Sequence, residues 1–456
     1  MAGSNRELSG VGQETIKPMR KYHQTEFGIV AGLFALLVFF AVAPISAQAQ
    51  AFEEVALFQE TINADFFGVD ARAMAMGNTG VVSARDGSGL IYNPANLARV
   101  RRIEFRAGLS HLRLSNSTDI HSPSLGLLSD ERDQNKTRIN ALSLTLPVPT
   151  YRGSLVVAFG VHRINSFDRA FGARIPEPEV PAFETSRGRE IETGGLWKWS
   201  AGGAIDISPR LAAGLSLNLI TGKDSYGWNR VYANADDAQT ITLDQGIDND
   251  YVGVGATAGL NFTISPALSV GLSMETPTYL SADERFESVL DTAFSSFEWF
   301  ETSYSEYSVT RPLSFGLGAA GSFDRLMLVG DVHYTDWSEL TFDYQDDFLP
   351  NNREEQFIQD NLKEAISLHI GAEYLFPDEG VALRAGYFRD PLPIDEKFIE
   401  SERQYLTLGA GFLIDRVMAL DLAYVHGGYE LRDAAPGSFF ADYNTRRIFA
   451  TFAYRI

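Results

Sequence analysis

The chain contains no cysteine, which in 456 residues excludes disulfides and all thiol-based metal or redox chemistry. Basic charge is also scarce. Lys and Arg number 38 against 59 Asp and Glu, for a net charge of −21. A polyanionic chain repels the phosphate backbone, so a nucleic-acid partner is excluded. The patterns G-x-S-x-G, H-E-x-x-H and G-x-x-x-x-G-K-[ST] do not occur, so neither enzymatic activity nor a cofactor or metal is expected. Long apolar runs are missing too, with one exception, Gly28 to Ile45.

That exception is informative. Lys17, Arg20 and Lys21 precede it, and "SAQAQA" follows, with small residues at Ala47 and Ala49. A basic stretch, an apolar run and then small residues is the order of a secretory signal peptide, here residues 1–50. Met19 offers a second start site. Four basic and three acidic side chains leave with the peptide, so −21 becomes −22. The other reading is an uncleaved anchor, because about 18 apolar residues just span a bilayer.

What the chain does have is alternation. With 40 Gly and 49 Phe plus Tyr, it repeats a two-residue apolar/small-or-polar pattern from about residue 103 to the last residue. The clear runs are 155–161, 211–220, 252–262, 268–274, 313–323, 366–376, 381–388, 406–414, 418–425 and 448–456; weaker ones are 103–114, 139–147, 195–207 and 326–336. These make fourteen expected strands. Short links such as "SPR", "SPA", "DR" and "PDEG" alternate strictly with long ones, for example 223–249 and 277–312. Short turns on one side and long loops on the other are the pattern of an outer-membrane barrel. In hydrocarbon every backbone N–H and C=O needs a partner, and only a closed barrel supplies one to every strand. The expected fold is therefore all-β, a 14-stranded antiparallel transmembrane barrel over residues 103–456, in the bacterial outer membrane and in contact with its lipid. A secreted sandwich or propeller also has many short strands, but does not explain the turn alternation. The hydrophobic end of the last strand, Ile456, resembles the terminal signal read by barrel-assembly machinery, where Phe is usual.

Residues 51–102 do not alternate in this way. "GVDARAMAMGNTGVVSARDGSGLIYNPANLARV" is rich in Ala and Gly and reads as short helical and looped pieces. Asn93 precedes proline and is suited to cap the turn that Pro94 opens; Ala95 to Val100 continue it. Locally this is an ordinary capped helix. After a signal peptide and before fourteen strands, however, the segment resembles the hatch of the FadL/OmpP1/TodX family of outer-membrane transporters. The likeness rests on Val69–Ala73, Gly77 and Gly80, Asp86–Ser88 and Tyr92–Leu97. It implies that residues 51–102 form an N-terminal plug inside the barrel, with Asn93, Pro94 and Ala95 fixing it. It also implies plug-gated passive uptake of long-chain fatty acids, hydrocarbons or other hydrophobic compounds. A related branch, the PorV-like barrels, implies instead an accessory of protein secretion and surface attachment.

Candidate sites follow from that reading. Phe286, Leu290, Phe294 and Phe297 fall at four-, four- and three-residue spacing, as on a helix face, with Trp299, Phe300 and Tyr304 beside them. They form either a capture surface for greasy ligands or a small core of the loop itself. Arg106, Arg384 and Arg447, on lumenal positions, are candidates to meet a ligand carboxylate or to pair with the acidic plug, as is Arg455. His333 and His369, with Asp331 and Glu373, form either a metal or acid/base cluster or polar lining that holds the plug. Gly160, inside the third strand, is a candidate kink. In the family, a kink there opens the wall sideways.

Overall fold

The computed structural model describes residues 68–122, 126–176, 185–233, 240–292, 298–344, 352–432 and 439–456. The expected signal peptide, the first part of the expected plug segment, and Phe294 and Phe297 lie outside these residues.

The described chain forms one closed antiparallel barrel of fourteen strands, four of them interrupted. The strands are β1 (Glu104–Ser122), β2 (Gly126–Val148), β3 (Leu155–Arg163 and Arg169–Pro176), β4 (Thr185–Ser208), β5 (Leu211–Ala233), β6 (Thr240–Ser265) and β7 (Leu268–Glu275 and Thr278–Thr292). They continue as β8 (Glu298–Arg311 and Ser314–Phe323), β9 (Leu326–Asp336 and Thr341–Tyr344), β10 (Glu364–Phe376), β11 (Val381–Arg389), β12 (Ile399–Ile414), β13 (Met418–Arg432) and β14 (Phe439–Arg455). Pairing of β1 with β14, from Glu104↔Arg455 to Ile120↔Phe439, closes the ring. Two of the tight turns use non-glycine residues at positive φ, Asp324 at 52° and Asp415 with Arg416 at 50° and 59°. The twist of such turns matches that of paired strands.

Alternation along each strand sorts side chains between lipid and lumen. On β5, Leu215, Leu217 and Leu219 are 52%, 63% and 46% exposed and face outward, while Ser216 and Asn218 are buried inward. In water, a continuous apolar exterior of this kind would drive aggregation; against lipid it is the stable arrangement. From Thr221 outward the same face turns polar, with Lys223 and Ser225. The belt on this strand is thus about 11 residues deep, as a tilted crossing requires. A Leu217→Arg substitution should cost about 2–4 kcal/mol of folding stability. Urea titration of the protein folded into lipid vesicles reads this, and an unchanged midpoint would contradict the outward assignment.

Most strands run far past the belt. β4, β5 and β6 are 24, 23 and 26 residues long. Much of what the sequence marks as long loops is therefore paired strand. The start of the expected helix face is one such case: Phe286 and Leu290 lie on β7, paired in register with Ser303 and Trp299 of β8. A helix does form elsewhere, at Asn352–Asn361 between β9 and β10.

Candidate functional site

Inside the barrel, residues 68–100 make α1 (Ala71–Ala75), α2 (Gly89–Tyr92) and a 3-10 helix (Pro94–Arg99), almost all fully buried. Asp70 caps α1 by accepting from the Ala73 N–H. Asn93 caps the 3-10 helix, its Oδ1 accepting from Ala95 N–H at 3.1 Å. The same Asn93 side chain donates to the carbonyls of Val81 at 2.7 Å and of Leu260, on β6, at 3.0 Å. One residue thus joins a turn, the rest of the plug and the wall.

The wall is shaped to receive it. Gly214 of β5 and Gly259 of β6 are register partners. A Cβ on Gly259 would stand 1.9 Å from Asn93 Oδ1, and one on Gly214 would stand 2.3 Å from the Pro94 carbonyl carbon. A second such window, Gly371 opposite Gly386 on β10 and β11, receives Met76 and Gly77. The plug therefore lies against the half of the barrel that carries the short turns.

Charge fixes it further. Arg106 of β1 pairs with Asp70 and, at 3.0 Å, with Asp86, both in the plug, and lies 3.7 Å from Glu104. Arg72 in α1 makes a two-pronged contact with Glu373 of β10, both bonds 3.0 Å. Arg384 of β11 bridges Glu373 and Asp421, both at 2.7 Å. Arg106 and Arg384, the expected ligand contacts, are thus each held by carboxylates within the protein. Arg447 is buried on the lumenal face with its guanidinium 6.0 Å over Phe449, and Arg455 pairs with Glu104 at 2.6 Å. His333 and His369 do meet, with ring centroids 5.0 Å apart. His369 Nδ1 lies 3.0 Å from the Asn78 carbonyl, and Asp331 accepts from the N–H groups of Gly80 and Val81 at 2.6 and 2.9 Å. This cluster holds the plug. Among the described residues no group of three or more His, Asp or Glu side chains is placed to bind a metal ion.

Strand β3 is interrupted, and Gly160 does not make the break. Gly160 sits in continuous pairing, opposite Ser143 on β2 and Ser200 on β4. Its missing side chain instead makes room for the His162 ring, 2.4 Å from an added Cβ, and for Leu90 of the plug at 3.2 Å. The break comes four residues later, at Ile164–Asp168. There the chain turns into the lumen, with Ile164, Phe167 and Asp168 buried. Beyond it the outer piece of β3 pairs with β4 alone, and β2 outward of Ala141 pairs with β1 alone. Asp168 latches the break, accepting from Arg138 of β2 at 2.7 Å and from Arg163 at 2.9 Å. The sequence signal for this was "RINSFDR", two arginines around an aspartate with no alternation.

The aromatic set does not act as one unit. Phe286 turns to the lumen, 6.2 Å from the Trp228 ring. Phe300 and Tyr304 share the outer face of β8 and are 61% and 73% exposed.

Comparison with solved structures places this architecture. The Pseudomonas putida toluene transporter TodX superposes with a TM-score of 0.59 at 15% identity, covering 86% of this chain and 99% of that one. The fold is that of TodX. CymD, a monoaromatic hydrocarbon channel, gives 0.56 at 14% identity over 86% of this chain and 99% of its own. A Pseudomonas aeruginosa FadL homologue gives 0.56 at 13% identity over 86% and 98%. No family model and no curated protein matches the chain.

Proposed function

We propose that the protein is a passive outer-membrane uptake channel for hydrophobic compounds and not an enzyme. The observation that carries this reading is the break at Ile164–Asp168, where β3 stops pairing with β2, turns inward beside the plug, and resumes as a piece paired with β4 alone. The plug closes the axial route, and a compound entering from outside leaves sideways through the break. Phe300 and Tyr304 offer outward aromatic surface for first capture. Each methylene moved from water to an apolar route gains about 0.8 kcal/mol, a gain a water-filled pore does not provide. Neutral hydrocarbons suit the lumen better than fatty-acid carboxylates, because Arg106 and Arg384 already hold acids of the protein. TodX, whose fold the chain shares, is described as a toluene transporter, in keeping with this choice. Insertion by the barrel-assembly machinery follows from the same reading.

Uptake of radiolabelled toluene and of a labelled long-chain fatty acid by cells expressing the protein tests it. Deleting residues 164–168, so that β3 runs straight, should lower toluene uptake at least tenfold while leaving the barrel folded by heat-modifiability on gels. Uptake equal to that of cells without the protein, or unchanged by the deletion, would overturn the proposal.

A further inference from the structure

Beyond the plug, several buried polar atoms of the described residues lack a partner, and two of the residues that carry them are register partners. Asp224 lies on the lumenal face of β5, three residues past the end of the lipid-facing belt. It is 1% exposed, and no side chain hydrogen-bonds either of its carboxyl oxygens. Its register partner on β6 is Asn249, 2% exposed, whose Nδ2 is likewise unpaired. Buried polar groups are rarely left so, and each unmet one costs stability. Asn249 is not loose: its Oδ1 accepts from the Tyr307 hydroxyl at 3.3 Å, which lies 3.3 Å from the Tyr251 hydroxyl. Phe167, from the inward segment, packs its ring 5.9 Å from Tyr251, and Phe342 stacks on Tyr307 at 4.7 Å. An unmet acceptor and an unmet donor thus sit side by side at an aromatic wall.

We propose that this pair binds hydroxylated aromatic compounds of the phenol class, the ligand hydroxyl donating to Asp224 and accepting from Asn249 Nδ2 while its ring packs against Tyr251 and Tyr307. This rests on the uptake reading and names its ligand class. A hydroxyl carries one donor and acceptor lone pairs, so it satisfies both orphans at once. A hydrocarbon satisfies neither. A carboxylate brings its negative charge up to that of Glu192. An ammonium brings only donors and leaves Asn249 Nδ2 unmet. Burial, and then the charge of Glu192, push the Asp224 carboxyl up to about 9 against the pull of Arg169, so it is neutral at pH 7 and does not select a cation.

The test is titration of phenol, toluene and benzoate into the full-length protein in nanodiscs, read by calorimetry, alongside toluene uptake in cells. Phenol is expected to bind about ten- to a hundredfold more tightly than toluene or benzoate, the range set by hydrogen bonds from a buried site. Asp224→Leu and Asn249→Leu should each remove that preference while toluene binding and uptake stay within about threefold. The Asp224→Leu change removes a buried unmet acid, so folding is preserved. Equal binding of phenol and toluene by the unaltered protein, or parallel loss of both in the variants, overturns this assignment and leaves uptake standing. Absence of toluene uptake overturns the channel reading itself.

Discussion

A Gly259→Val protein is expected to conduct ions steadily in planar bilayers, where the unaltered protein stays closed. The added Cβ would stand 1.9 Å from Asn93 Oδ1, which caps Ala95, and 3.2 Å from Ala95 N. Asn93 would lose the cap and the bonds to Val81 and Leu260, three hydrogen bonds of about 1 kcal/mol each. The barrel itself should gain, since valine suits a strand better than glycine. The prediction is thus specific: an intact cylinder with its stopper displaced. Gly227→Val, where the nearest atom to the new Cβ is 3.8 Å away, should remain closed. If position 259 behaves like position 227, the glycine window does not seat the plug.

The second large effect is expected at Arg106. Replacing it with leucine leaves Asp70, Asp86 and Glu104, all at most 4% exposed, without their shared cation. Breaking a buried pair by removing one partner costs about 3–5 kcal/mol, because the remaining charge stays desolvated. Arg106→Leu should lower the urea midpoint sharply and raise conductance. Adding Asp70→Asn to Arg106→Leu should recover part of the loss. Stability equal to that of the unaltered protein would mean that the acids are rehydrated and that the network is not what anchors the plug.

How much of this was open to reading from the chain differs by region. The inner ends of all fourteen strands were legible because lipid imposes alternation there and nothing else competes with it. The outer halves were not. On β6, "TITLDQGIDND" carries polar residues on both faces, since water lies outside and hydrogen-bonded side chains lie inside. The helix expected over the aromatic hairpin failed for a related reason. Phe286 and Leu290 are four apart, and four is even, so the spacing places them on one strand face as readily as on one helix face. The cap at Asn93 was legible from Asn-Pro, while its partners Gly214 and Gly259 were not, because a lone strand glycine does not say what approaches it. Gly160 shows the same ambiguity. Its role is room for His162 and Leu90, and the true bend lies where alternation stops.

The enclosure of residues 68–100 also constrains how the molecule comes into being. Glu104 meets Arg455 only once the whole chain has been made, some 350 residues later. By then the preceding segment must already stand within the ring, pinned by contacts to β5, β6, β10 and β11. The pairing of β1 with β14 thus joins the two ends of the barrel sequence around the segment that precedes them both.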